Sequence, residues 1–338
     1  MLIFSKLLFL IFLILGTLMS ICSYSWMGMW MGLEINLLSI IPLMNNKNLP
    51  PSSESSLKYF ITQALASVIL LYSLIMMSEK LNSFMFDQLN FTFIMNISLL
   101  IKMGAAPFHY WFPEIMSGLD WFSSLLVLTW QKIAPMMILL MNIFSMNFIF
   151  FVIIISMLVG GIQGLNQTSI QKILAYSSIN HIGWMLGSLI ISFNIWLIYF
   201  IIYTMISVIL LLIFNYYKIY FISQFISQFK MNKLLKLTVS LNFLSLGGLP
   251  PFIGFFPKWL VINMLTNNGF MFMSVMMVIL TLFILYYYVR FIISSMIIDF
   301  SSMNFFYKFN FKMFSYFLWF NMINLLGLLM IIFFYNYS

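Results

Sequence analysis

Lys102-Met-Gly-Ala-Ala-Pro107-Phe-His109-Tyr-Trp-Phe-Pro113-Glu114 sets a lysine, a helix-breaking proline and a histidine inside a long apolar run. Proline lacks an amide donor and its ring collides with the carbonyl four residues back, so a helix entering this stretch is interrupted. In lipid such a break persists only where protein or a water-filled cavity satisfies the freed backbone groups. A lysine at membrane depth costs about 2.5 to 3.5 kcal/mol on an insertion scale, which marks it as a functional candidate. The stretch reads as a broken transmembrane helix around a buried charge, and the rest of the chain as its housing.

Composition supplies the membrane. The 338 residues are 63% hydrophobic and 7% charged, with a mean hydropathy of +1.06, against roughly 25% charged residues in an average soluble domain. The fold class is an all-α polytopic membrane protein. The formal charge of +8, from 15 Lys and Arg against 7 Asp and Glu, fits basic residues collecting in loops on one side of a bilayer. No basic and aromatic stripe for nucleic acid is visible. One cysteine, Cys22, and two histidines cannot build a structural zinc site, an iron–sulfur cluster or a disulfide framework, so any redox chemistry belongs to another chain. Lys6 precedes a long apolar run as in a signal peptide. Residues 17–25 nevertheless lack a small-x-small cleavage site, and 2–22 reads as a retained span. The 30 Met and 39 Phe residues against six Ala point to the coding bias of an organellar genome rather than to packing.

A membrane span needs about 20 mostly apolar residues. Eleven transmembrane helices fit: 2–22, 26–44, 57–78, 89–113 (broken), 121–144, 147–165, 177–192, 194–214, 234–264 (broken), 270–292 and 313–335. With that count, Lys47, Lys58, Lys172, Lys218, Lys230, Lys233, Lys236, Lys308 and Lys312 fall on the side of the N-terminus and Lys80 on the other. The asymmetry places the N-terminus inside and the C-terminus outside. Pro50-Pro51-Ser-Ser-Glu54-Ser-Ser reads as loop punctuation. The connection 215–236 fits either an amphipathic surface segment or a basic loop.

The ninth span repeats the interruption of the fourth, in Gly247-Gly-Leu-Pro250-Pro251-Phe-Ile-Gly254-Phe-Phe-Pro257-Lys258. The breaks stand five spans apart in order, and an odd offset inverts the second copy. The single membrane domain 1–338 thus reads as two inverted five-helix repeats, 1–144 and 147–292, each with a broken fourth helix, plus one additional C-terminal helix at 313–335. Interrupted helices at matching positions of two halves point to a transport site.

Four ionisable residues fall well inside spans: Glu34, Lys102, Lys132 and Lys258. One acid neutralises one base, and desolvation disfavours the other charged ammonium groups unless internal water reaches them. Lysines that exchange protons in such a setting are what a proton relay needs. Each could instead snorkel or pair within the fold. His109 follows Lys102 by seven residues, about two turns, so a continuing helix would keep them on one face. His181 lies at the start of span 7. Each histidine is a relay candidate or a hydrogen-bonded packing residue. Gly160-xxx-Gly164 and Gly183-xxx-Gly187 suit close helix packing, and Glu114 and Asp120 flank the connection after span 4.

Three segments together carry a specific resemblance: Lys102 to Glu114, Gln167-Thr-Ser-Ile-Gln-Lys-Ile-Leu-Ala-Tyr-Ser-Ser-Ile-Asn-His-Ile-Gly183, and Gly247 to Trp259. They resemble the signature segments of the antiporter-like proton-pumping membrane subunits of respiratory complex I. The resemblance implies that Glu34 pairs with Lys102, that Lys132 carries the proton onward and that Lys258 ends the relay. It implies a place in the mitochondrial inner membrane, with the N-terminus on the matrix side and the C-terminus on the intermembrane-space side. The implied partners are other membrane-arm subunits, among them neighbouring antiporter-like subunits, and membrane lipids, with no nucleic acid. NADH, FMN, iron–sulfur clusters and ubiquinone would reside in other subunits, leaving no cofactor or metal on this chain. The sequence itself has no Gly-rich strand-to-helix turn for NADH. Relative to longer bacterial members the chain starts at their fourth span, which accounts for eleven spans. Two other readings stay open: a stand-alone secondary cation/proton antiporter, and a structural anchor whose lysines do not pump.

Overall fold

Residues 2–45, 50–79, 85–142, 146–228 and 233–297 are described by the computed structural model, with 321, 322, 324 and 327. They form fourteen α-helices, joined by one isolated antiparallel bridge between Ser169 and Phe221. Among the described residues, seven segments are long and apolar enough to cross a membrane: Phe4–Cys22, Trp26–Met44, Pro50–Ser78, Trp121–Met141, Met146–Gly164, Phe193–Tyr217 and Met271–Met296. The chain divides into two compact units, Met1–Ser156 and Met157–Ser338.

In the first unit, α1 (Leu2–Cys22) lies against α2 (Trp26–Met44), which starts where the Ser25 hydroxyl accepts from the Gly28 amide at 3.2 Å. The two backbones nearly touch at Gly32, where a Cβ would lie 2.5 Å from Ser20 N. Glycine at such a crossing is what allows helices to approach this closely. α3 (Pro50–Glu79) begins seven residues earlier than the span predicted from 57, and this corrects the reading of Pro50 to Ser56 as a loop. The first turn of a helix has orphan amides, so prolines cost nothing there. The Ser53, Ser55 and Ser56 hydroxyls then donate to carbonyls three residues back at 2.8 to 2.9 Å, which lets a polar stretch join the helix.

α4 (Met85–Met103) and α5 (Trp111–Gly118) are the halves of the fourth span. α6 (Trp121–Leu128) and α7 (Trp130–Met141) divide the fifth, which the sequence reading takes as continuous over 121–144. Pro135 leaves the Gln131 carbonyl without its amide partner and crowds it, and the helix is interrupted about a turn and a half before the proline, at Thr129. The Thr129 hydroxyl donates to Leu125 O at 2.7 Å. α8 (Met146–Gly164) runs from the first unit into the second.

The second unit continues with α9 (Ile170–Ile191), α10 (Phe193–Tyr217), the short α11 (Ile222–Gln228), α12 (Lys233–Gly247), α13 (Phe255–Asn267) and α14 (Met271–Ile297). α9 starts well before the predicted 177. Much of the 215–236 connection is helical, and α11 buries Phe225 against Phe291 of α14 at 5.0 Å between rings. The predicted eleventh span, 313–335, lies outside the described residues apart from four positions. Lys47, Lys80, Lys230, Lys308 and Lys312 also lie outside them.

The two helix breaks share one backbone design. Gly104 (φ 74°) and Gly248 (φ 78°) occupy the left-handed region that only glycine enters freely. At the first break Gly104 N donates to Ile101 O and Ala105 N to Leu100 O; at the second Gly248 N donates to Ser245 O and Leu249 N to Leu244 O. Both pairs are Schellman caps, which satisfy the last carbonyls of the helix. The next bonds also correspond, Phe108 N to Ala105 O with Phe252 N to Leu249 O, and Phe112 N to His109 O with Phe256 N to Ile253 O. α5 and α13 then begin at equivalent places, Trp111 and Phe255.

Candidate functional site

Each unit buries lysine beside its break. In the first, Lys102 stands in the last turn of α4 at 7% exposure and Lys132 in α7 at 1%. The Gln63 amide of α3 donates to the Lys102 carbonyl at 3.3 Å, and the Trp111 indole returns to Ile101 O at 3.1 Å. These bonds use carbonyls that a continuous helix would have paired. A cavity of about 10 Å³, bordered by Asn36, Tyr59, Gln63, Lys102 and Gln131, adjoins the lysine. Such a volume with polar walls suits about one water molecule.

Glu34 projects from α2, one turn from the cavity wall, with its Oε2 atom buried and without a hydrogen-bond partner. It forms no direct ion pair with Lys102, yet its charge bears on that lysine electrostatically. Lys132 Nζ lies 5.5 Å from the Phe112 ring centroid, within cation–π range. Phe112 in turn abuts Gly104, where a Cβ would fall 3.2 Å from its side chain. The break glycine, the aromatic ring and Lys132 are thus stacked in sequence.

In the second unit the lysine comes from the other half-helix. Lys258 of α13, at 6% exposure, donates to Gly247 O at 2.6 Å and Leu246 O at 3.3 Å. These are the terminal carbonyls of α12, the negative end of a helix dipole, where a cation is stabilised. Gly248 keeps the approach open, since a Cβ there would lie 2.7 Å from the lysine Cδ. The ammonium also sits 5.8 Å from the Trp184 ring of α9. One turn back on α9, His181 Nδ1 lies 2.8 Å from the Tyr199 hydroxyl, with the Tyr203 ring tilted against the imidazole at 4.9 Å. A second water-sized cavity of about 10 Å³ is bounded by His181, Tyr199, Tyr203, Leu246 and Pro257. It brings His181 beside the elements that hold Lys258.

His109 does not share a helical face with Lys102, because α4 ends at Met103 and the intervening residues turn. Its buried ring stacks on Tyr110 at 4.4 Å, with Nδ1 3.3 Å from Pro107 O. Pro107, Pro250 and Pro251 all lie within the breaks. Glu114 is exposed and pairs with Lys58 at 3.2 Å, joining α5 to α3. Lys236, expected at the membrane surface, is buried on α12.

Sequence reasoning missed the polar side chains that line these sites. Gln131 donates to Asn36 Oδ1 at 2.9 Å across 95 residues of chain. In the second unit Asn242 of α12 bonds to Asn321, and Asn324 bonds back to Asn242 at 2.8 Å. Lone amides in apolar helices carry no motif, although their rarity there is itself a signal. Gln131→Leu leaves the Asn36 oxygen unsatisfied and should destabilise the assembled protein by about 1 to 3 kcal/mol. A lowered thermal-inactivation midpoint checks it; an unchanged midpoint would rule out the Asn36 bond. Among the described residues, no three His, Cys, Asp or Glu side chains converge as metal ligands would.

Long apolar helices, two capped breaks and buried lysines at those breaks define an all-helical, multi-pass membrane protein with ionisable groups inside its spans. Residues 23–284 match the family described as NADH:quinone oxidoreductase/Mrp antiporter, TM. NADH-ubiquinone oxidoreductase chain 2 of Anopheles gambiae is 50% identical over 327 residues, covering 96% of each protein. A chain of respiratory complex I from Thermus thermophilus superposes with a TM-score of 0.86 at 22% identity, over 96% of this chain and 78% of that one. A chain of the Mrp complex from Dietzia sp. does so with a TM-score of 0.77 at 16% identity, over 87% and 61%. The chain belongs to the NADH:quinone oxidoreductase/Mrp antiporter membrane family and, within it, to the NADH-ubiquinone oxidoreductase chain 2 proteins.

Proposed function

We propose that this chain is a core membrane-arm subunit of respiratory complex I that moves protons across the mitochondrial inner membrane through Glu34, Lys102, Lys132 and Lys258. NADH oxidation and ubiquinone reduction, with their FMN and iron–sulfur clusters, fall to other subunits. The observation that carries the reading is the burial of three lysines at helix breaks in a chain that matches chain 2 proteins along nearly its whole length. The identical capping of the breaks, with Gly248 standing 144 residues after Gly104, supports two five-helix repeats. Inversion of the second repeat follows from the odd offset, five spans, between one break and the other. The eleventh span completes the membrane domain, with the N-terminus on the matrix side.

The geometry suits proton exchange better than fixed pairing. Glu34 influences Lys102 without clamping it, and a water-sized polar cavity reaches the lysine. Lys132 faces an aromatic ring on the half-helix after the break. Lys258 is held by the terminal carbonyls of α12, whose negative dipole end favours its ammonium form. His181 adjoins the last site through the second cavity, and His109 stands within the first break. Glu34→Gln keeps the shape and deletes the charge. It should leave the amount of intact complex unchanged and lower proton flux through this chain about tenfold, the effect of about 1.4 kcal/mol of lost interaction with Lys102. Protons pumped per NADH oxidised is the measurement, and an unchanged ratio would remove Glu34 from the path. Cation/proton exchange by the isolated chain in liposomes would instead favour a stand-alone antiporter.

A further inference from the structure

The second unit holds a cavity of about 490 Å³ that none of Glu34, Lys102, Lys132 and Lys258 lines. Its walls are the turn between α8 and α9, Ile222 of α11 and the end of α14. α8 is a membrane-crossing helix ending at Gly164, and the chain reverses into α9 at Ile170, so the cavity lies where helices meet the membrane surface. Its charge is one-sided. Arg290, the only arginine in the sequence, lines it and no carboxylate does. Among the described residues of this unit there is no Asp or Glu, while Lys172 and Lys218 stand at the same membrane end.

One guanidinium N–H of Arg290 donates to the Leu165 carbonyl oxygen. The planar fork has five donors, so that bond orients it and leaves capacity for a phosphate oxygen. Leu282, Tyr286, Val289 and Ile293 are exposed on α14 at three- and four-residue spacing, on the flank that carries Arg290. Inside, Ile173 and Phe291 present apolar walls. A free phosphate would use the arginine and leave this apolar surface bare, whereas a phospholipid uses both.

We propose that this cavity binds the headgroup phosphate of an anionic phospholipid, with Arg290 as its main ligand and the acyl chains lying along the exposed stripe of α14. Basic pockets between transmembrane helices are suited to such headgroups. The test uses the intact complex in vesicles of phosphatidylcholine containing a photoactivatable phosphatidylglycerol. Label should appear on peptides spanning 164–173 and 286–294, and excess plain phosphatidylglycerol should suppress it while phosphatidylcholine and inorganic phosphate do not. Arg290→Gln should cut labelling about fivefold, with Arg290→Lys retaining most of it. Equal labelling by a zwitterionic analogue, or displacement by inorganic phosphate, overturns the proposal. So does absence of label in the wild-type complex, including the case where an acidic segment of another subunit cross-links there. The wild-type competition decides the question even if a variant fails to assemble.

Discussion

Lys102→Met yields a complex that assembles in normal amount and moves about a hundredfold fewer protons through this chain, the scale on which removal of a proton-transfer group acts. Assembly should survive because methionine is unbranched and fills a similar slot, and because Lys102 forms no direct ion pair whose partner would be left uncompensated. The bond from Gln63 goes to the Lys102 backbone and is untouched. What disappears is the one basic side chain bordering the polar cavity. Lys102→Arg separates charge from exchange: guanidinium stays charged and does not give up its proton in proteins, so it should also stop the flux. A lysine serving only as a fixed cation would tolerate arginine. Protons per NADH, with the quantity of intact complex as control, decides between them. Normal pumping in Lys102→Met would reduce this residue to a structural one.

The breaks and their lysines were legible because each departs from the background in two ways at once: proline and glycine interrupt an apolar run, and a charge stands beside them. The third interruption was not legible. Thr129 looks like an ordinary residue of an apolar span, and Pro135, which weakens the helix there, lies a turn and a half further on. The start of α3 was misread because Pro-Pro-Ser-Ser is loop punctuation by composition. Its serines satisfy their own backbone only once the helix exists. The amides around Lys102 were hidden for a different reason. Asn36, Gln63 and Gln131 lie on three helices far apart in sequence, and their convergence is a property of packing. Lys236 illustrates the limit of charge counting, since a lysine just inside a predicted boundary was assigned to the surface and lies buried in the fold.

Gly254→Ala should prevent accumulation of the intact complex. Gly254 precedes α13 with an ordinary φ of −65°, so alanine meets no backbone strain there. The obstacle is space. A Cβ at this position would overlap the Ser245 carbonyl oxygen and lie 2.7 Å from its carbon, both backbone atoms of α12. No rotamer change relieves such a contact. α12 and α13 would have to separate, and that withdraws the Leu246 and Gly247 carbonyls from the Lys258 ammonium. Overpacking of cores costs about 1 to 3 kcal/mol where side chains can yield, and this contact should exceed that range. Gly269→Ala is the matched control. Its φ of 84° disfavours alanine by about 1 kcal/mol, yet nothing lies within 4 Å of the added carbon. Native electrophoresis of the two variants should show near-normal complex for Gly269→Ala and little for Gly254→Ala. Equal amounts would mean that the two half-helices do not close on each other at Gly254, and the carbonyl cradle of Lys258 would lose its physical basis.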